Sequence, residues 1–197
     1  MDFQPLNREF YFTDTLKLAR LLLGTFLVHF SPEGLTVGMV VETEAYLRDD
    51  PACHAARGIT RRNAVMFGAP GYAYVYFVYG NHYCFNVVSG AAGTGEAVLV
   101  RALAPMAGLE LMRSRRRKAR QITDLTNGPG KLCAAMAIGR GHNGLSLLEK
   151  PLFLARGQDV DPSEIAETTR IGITRAVDKE WRYYLKGNPF VSQTASR

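Results

Sequence analysis

From Leu35 to Val41 the chain is largely apolar, and then Glu42-Thr43-Glu44-Ala45-Tyr46 introduces two carboxylates and a phenol. Read as a strand, the stretch places Val40, Glu42, Glu44 and Tyr46 on one face by alternation. Before it, Thr25 to Phe30 reads as a partner strand and Ser31-Pro32-Glu33-Gly34 as the tight turn between them. Further upstream Leu16, Leu18, Leu21 and Leu22 recur at helical spacing over Asp14 to Leu23, with Asp14 as N-cap and Gly24 as stop. Downstream, Tyr72 to Tyr79 and Tyr83 to Val88 predict a hairpin turning at Gly80-Asn81, where positive backbone dihedrals are tolerated. Ala97 to Leu103 is a further strand, on which Ala97, Leu99, Arg101 and Leu103 share a face.

The remaining segments are less regular. Arg48 to Ala69 is a polar, glycine-punctuated loop with a short helix near Pro51 to Ala56, held at both ends by strands as functional loops often are. Ser89 to Gly95 is a turn of small residues, and after a break at Pro105 a helix runs from about Leu109 through the basic residues that follow. Thr126 to Gly130 reads as a turn, Lys131 to Ile138 as a short apolar helix, Leu145 to Leu154 and Trp181 to Leu185 as late strands, and Lys186 to Ser192 as a loop. Strands and helices do not alternate regularly. The pattern therefore favours a mixed α/β fold with a largely antiparallel sheet over a doubly wound one.

At 197 residues, with 47% hydrophobic and 21% charged positions, the chain suits one well-cored domain spanning residues 1–197. A net charge of +6 favours polyanionic partners. Much of it sits in Arg113-Ser114-Arg115-Arg116-Arg117-Lys118-Ala119-Arg120, which is either a solvated helical surface or a nucleic-acid patch. Three widely spaced cysteines, Cys53, Cys84 and Cys133, suit a reducing compartment. The N-terminal stretch lacks the pattern of a signal peptide, and no run approaches the roughly 20 apolar residues that span a bilayer. A soluble intracellular protein with no membrane partner is expected.

Chemistry narrows the reading. His29, His54, His82 and His142 are scattered without metal-ligand spacing, and Gly128-Pro129-Gly130-Lys131 does not match a phosphate-cradling loop, so neither a metal nor a nucleotide cofactor is expected. Glu44, nearer the strand end and Tyr46 than Glu42, suits acid–base work on a glycosidic carbon, although an exposed structural glutamate gives the same pattern. The tyrosine run serves either cross-strand packing or base stacking. His54 is either a hydrogen-bonded structural histidine or part of a site. Arg101, sharing a face with leucines, needs a partner: Glu42, Glu44 or a bound phosphate. Acid, aromatic surface and basic surroundings together point to the handling of nucleobases.

Taken in order, LARLLLG (Leu18–Gly24), VVETEAY (Val40–Tyr46), DPACHA (Asp50–Ala55), RNAVMFG (Arg62–Gly68), YVYFVYGNHYCFNVV (Tyr74–Val88), VLVRAL (Val98–Leu103), NGPGKLC (Asn127–Cys133) and KGNPFVS (Lys186–Ser192) resemble the alkyladenine (3-methyladenine) DNA glycosylase family. The resemblance covers essentially the whole chain. It implies a curved, largely antiparallel sheet with flanking helices and a protruding β-hairpin, and a monofunctional glycosylase that needs no cofactor. That enzyme hydrolyses the bond between a damaged purine and deoxyribose in double-stranded DNA. By the same resemblance Glu44 is the general base that activates water, with Arg101 and the backbone near His54 helping to hold that water. Tyr46, His54 and Tyr76 would sandwich the extruded base, Asn86 would exclude the 2-amino group of guanine, and Tyr79 would wedge into the duplex. The chain departs from the family pattern at Arg61, Ala104 and Cys53, of which the first and third border the DNA-facing loop. A silent nucleic-acid-binding module and a hydrolase of free nucleosides are the competing classes. One pocket per molecule suggests a monomer.

Overall fold

The strand that carries the two glutamates is the longest in the protein and the hub of its sheet. In the computed structural model, which describes residues 3–192, it spans Gly34–Tyr46 (β2) and pairs antiparallel with Phe26–Ser31 (β1) on one side and Glu96–Ala107 (β5) on the other. The path continues outward through His82–Ser89 (β4) to Ala73–Val78 (β3) at one end and to Leu152–Ala155 (β6) at the other, in the order β3-β4-β5-β2-β1-β6. Ile165–Thr168 (β7) and Arg182–Leu185 (β8) complete the eight strands, β8 pairing with β2 over Glu42 to Glu44. Every pairing is antiparallel, as the irregular alternation of elements suggests. Along β2, then, β1 is the neighbour up to Met39 and β8 takes over at Glu42.

Two irregularities sit where that neighbour changes. Val40 faces Leu103, Glu42 faces Ala102 and Thr43 faces Val100, so Val41 and Arg101 are extra residues in two β-bulges. Each bulge reverses the parity of the residues beyond it. Val40 and Leu103 point into the main core with Ala45, Val98 and Val100, whereas Glu42, Glu44 and Tyr46 point to the other face with Leu99 and Arg101. The simple alternation that groups Val40 with the glutamates, and Leu103 with Arg101, is therefore corrected at these two points.

Among the described residues four α-helices cover the core face or its rim: Arg8–Tyr11 (α1), Thr15–Leu21 (α2), Leu109–Arg115 (α3) and Pro129–Ala135 (α4). The leucine stripe of α2 buries Leu18 and Ala19 beneath the sheet, and the Asp14 carboxylate caps it by accepting from Leu16 and Lys17 amides at 2.9 and 3.0 Å. Met112 of α3 and Leu132 and Cys133 of α4 join the same core.

Several expected boundaries move. The basic run does not stay helical, because α3 ends at Arg115 and residues 116–118 form a turn. Arg115 itself bridges Ser31, Glu33 and the carbonyl of Ala135, which fixes it as a structural tie. The strand expected over Leu145 to Leu154 is present only from Leu152, since Pro151 has no amide to give β1, although its carbonyl accepts from Phe30 at 2.9 Å. The hairpin turn is centred on Tyr79-Gly80, one residue earlier than expected. The short helix near Pro51 to Ala56 is a 3₁₀ turn at His54–Arg57, and a second lies at Ala64–Phe67. Among the described residues no helix is long and apolar enough to cross a membrane. All three cysteines are buried thiols, and burial pushes that of Cys53 up to about 11.

Candidate active site

Burying two carboxylates in a sheet requires compensation, because an unpaired charge away from water is costly. Here both glutamates are fully buried, and the compensation is explicit. Glu42 Oε1 accepts from Arg101 Nε at 3.1 Å, Arg182 Nε at 2.6 Å and Ser192 Oγ at 2.7 Å, while Oε2 takes the Ser192 amide at 2.7 Å. Glu44 Oε1 lies 3.2 Å from Arg101 Nη1 and accepts the Ile171 amide at 2.7 Å, and Oε2 accepts the Tyr46 hydroxyl at 2.8 Å. Two carboxylates are thus matched by two guanidiniums, with Arg101 forking between them. The alternatives left open for Arg101 resolve to both acids at once.

The bulges explain why the two acids differ. Turned with Glu44 away from the core by the extra residue Val41, Glu42 has both its oxygens occupied by β5, β8 and the C-terminal loop. Glu44 lies one step nearer the strand end, behind a cavity of about 1010 Å³. It does not line that cavity. The three groups that touch its carboxylate, Tyr46, Arg101 and Ile171, do. The backbone that reaches Glu44 is that of Ile171; the His54 carbonyl instead accepts from Asn63 Nδ2 at 2.9 Å.

His54, Tyr76, Tyr79 and Asn86 line the same cavity, so the structure gathers every singled-out pocket residue in one place. His54 and Tyr76 meet edge to face, with ring centroids 4.5 Å apart and an interplanar angle of 69°, and form one continuous wall with Tyr74. His54 Nδ1 is 2.9 Å from the Tyr74 hydroxyl. Burial, reinforced by the charge of Arg62, holds the His54 imidazole below its usual pKa, which keeps it neutral near pH 7. Burial pushes the Tyr46 phenol far up, helped by the Glu44 carboxylate it donates to, and burial likewise raises Tyr76. Tyr46 is therefore a permanent donor to Glu44. Asn86 is oriented by its own bond, Nδ2 donating to the Tyr74 carbonyl at 3.0 Å. Tyr79 stands at the hairpin tip, 84% exposed and in the left-handed region at φ 53°.

Sequence reasoning passed over several residues that hold this arrangement. Asn63 is buried and bonds Thr60, Gly58 and His54, which shapes the loop that presents the imidazole. Arg182 and Ser192 close the cage around Glu42. Arg170 pairs with Asp50 through both terminal nitrogens, donates to the Ala45 carbonyl at 2.9 Å, and lies 4.7 Å from the centroid of Tyr46 and 5.1 Å from that of Trp181. Asp50, Asn63 and Ser192 fall within matched motifs, but Arg170 falls in none. No local signal marks it. Among the described residues, no group of three or more His, Cys, Asp or Glu is arranged to hold a metal ion.

A buried carboxylate thus backs against an aromatic cavity at the end of an antiparallel sheet, and comparison with known proteins gives the class and the family. Residues 9–189 match the family described as Methylpurine-DNA glycosylase (MPG), and the chain belongs to that family of monofunctional DNA glycosylases. It is similar to proteins named "Putative 3-methyladenine DNA glycosylase" from Methanoculleus marisnigri, at 51% identity over 95% of this chain and 98% of the relative, and from Carboxydothermus hydrogenoformans, at 49% over the same shares. A third so named, from Chlorobaculum tepidum, is 47% identical over 96% of this chain and 91% of its own length.

Proposed function

We propose that this glycosylase rotates a damaged purine, alkylated or deaminated, out of double-stranded DNA into the cavity beside Tyr46. It then hydrolyses the N-glycosidic bond and leaves an abasic site. A base stacked in a duplex hides its glycosidic carbon, so extrusion must precede chemistry at a cost of a few kcal/mol. The observation that carries the reading is the buried Glu44 carboxylate, tied to Arg101 and Tyr46 at the back of an aromatic cavity. A water at the rim formed by Tyr46, Arg101 and Ile171 gives its proton toward Glu44 as its oxygen bonds to the sugar carbon. The carbon–nitrogen bond breaks ahead of and during that attack, its electron pair leaving with the base, so the sugar carbon passes through an oxocarbenium-like state.

The surrounding residues take roles that fit their geometry. Tyr46 supplies one stacking face, and the His54–Tyr76 wall supplies the other. Because His54 is held neutral, that wall does not repel a base that carries alkylation-derived positive charge. Asn86, held by the Tyr74 carbonyl, takes the role of excluding purines with an amino group at position 2. Tyr79 at the exposed hairpin tip inserts into the duplex and fills the gap. One cavity per chain suffices, and the protein acts as a monomer.

The test is a duplex carrying a single hypoxanthine, incubated with the protein in chelator. Free hypoxanthine should appear by chromatography, with the strand nicked only after hot alkali. Nicking before alkali would contradict a monofunctional enzyme. Release of alkylated purines with none of hypoxanthine would confine the activity to alkylated bases.

A further inference from the structure

Arg170 has no assigned part in the chemistry, yet it adjoins two of the three groups that hold Glu44, Tyr46 and Ile171. Its guanidinium lies between rings, 4.7 Å from Tyr46 and 5.1 Å from Trp181, and the phenol of Tyr46 donates to Glu44 Oε2 at 2.8 Å. The next residue, Ile171, places its amide 2.7 Å from Glu44 Oε1. Arg170 is anchored in turn by Asp50, and both side chains of that ion pair are fully buried. Asp50 opens the loop that carries His54, so the pair joins the loops on either side of the cavity.

The pair is more than a structural clamp in one respect. Arg170 Nε is buried and has no hydrogen-bond partner among the described residues. The terminal nitrogens are held by Asp50 and Ala45, and the faces of the guanidinium are covered by the two rings. A planar guanidinium stacks in this way, and an ammonium does not.

Resting on the glycosylase reading above, we infer that Arg170 is a positioning residue for catalysis. Stacked between Trp181 and Tyr46 and locked by Asp50, it fixes the Tyr46 ring and the Ile171 amide and so sets the orientation of the Glu44 carboxylate. The stack runs Trp181, Arg170, Tyr46 and then the extruded base. An error in the first three layers is transmitted to the carboxylate and the base together.

The experiment measures single-turnover excision of hypoxanthine from duplex DNA by wild type, Arg170→Lys, Tyr46→Ala and the double variant. Binding to a duplex with a stable abasic-site analogue is measured alongside. Trp181 is the sole tryptophan in the chain, so its emission reports directly whether the stack survives. Expected for Arg170→Lys is an excision rate at least about ten-fold lower, with duplex affinity within about three-fold and a shifted Trp181 emission. The loss in the double variant should fall well short of the product of the single losses, because Arg170 acts largely through Tyr46. A merely structural residue gives losses that multiply, and either that result or an unchanged rate in Arg170→Lys overturns the inference. Should Arg170→Lys fail to fold, Asp50→Asn carries the same expectations. An inactive wild type would overturn the glycosylase reading and this inference with it, whereas an active wild type with an equally active Arg170→Lys overturns this inference alone.

Discussion

Glu42 and Glu44 are two residues apart and chemically identical, and their surroundings alone separate them. Glu42 is caged by Arg101, Arg182 and Ser192, and Glu44 shares Arg101 but backs onto the cavity. Replacing Glu42 by Gln leaves Arg101 and Arg182 facing each other across a neutral amide in a buried site. Breaking one member of such a cluster costs about 3–5 kcal/mol, to be read from urea unfolding. Asn63 gives a second test at this scale. Asn63→Ala removes the bonds to Thr60, Gly58 and His54, and should lower excision more than duplex binding by loosening the imidazole wall. The grouping was partly legible in the chain: Tyr46, His54, Tyr76, Asn86 and Arg101 line one cavity, with Glu44 behind it. Their facing was not. Nothing in Val41 or Arg101 announces a bulge, since neither is glycine, and the extra residues are tolerated because the ion cluster rewards turning Glu42 and Arg101 the same way.

At the scale of elements, the β3–β4 hairpin combines a local cost with a role. Tyr79 occupies the left-handed region, which is unfavourable by about 1–2 kcal/mol for a residue with a Cβ, while Gly80 at φ 73° adopts it freely. The aromatic residue is held there although asparagine would sit more comfortably. Tyr79→Asn should therefore match or exceed wild type in thermal stability and yet excise bases from duplex DNA more slowly, with the gap narrowing on single-stranded substrate. Equal rates on duplex would remove Tyr79 from the wedge role. The hairpin's existence followed from alternating aromatics, but its centre lies one residue early because the turn bond runs from the Asn81 amide to the Val78 carbonyl. Elements defined by long local patterns, such as α2, β1 and β2, matched expectation closely. The four-residue β8 also fell within one residue of the expected Trp181 to Leu185, whereas β7, equally short, exists through its pairing with β8.

Across the whole molecule, the sheet divides labour. One face carries the core with α2, α3 and α4, and the other carries the cavity and its ion cluster. The basic run lies with α3 on the core side, where Arg113, Arg115 and Arg116 bond Glu110, Ala135 and Asp124 respectively. Away from the site, His29 and His142 form a relay. The Gly139 amide donates to His142 Nδ1 at 3.1 Å, the two Nε2 atoms are 3.0 Å apart, and His29 Nδ1 is 2.6 Å from the Met136 carbonyl. With both rings neutral every donor meets an acceptor; an added proton on His142 Nδ1 displaces the Gly139 amide and can turn only to the Gly139 carbonyl, 3.3 Å away. Burial lowers both pKa values, and at His29 the neighbouring His142 and Arg115 lower it further against the pull of Glu33. Above the ordinary histidine value of about 6.5 neither state binds these protons. Below it the unfolded chain takes them first, so stability falls with pH until the lowered folded values are passed. Urea midpoints should drop between pH 7.5 and 5.5, and less steeply in a His142→Asn variant; an identical slope would remove the relay from the account.

In the proposed mechanism Glu44 performs the chemistry while the aromatic cavity binds the base. The most direct measurement pairs two readings on Glu44→Gln, which keeps the shape and removes the base. Single-turnover excision of hypoxanthine from duplex DNA should fall by about 10²–10⁴-fold, with affinity for the abasic-analogue duplex close to wild type. A variant that still excises at near the wild-type rate would contradict the account, because the carboxylate behind Tyr46 and Arg101 would then be structural.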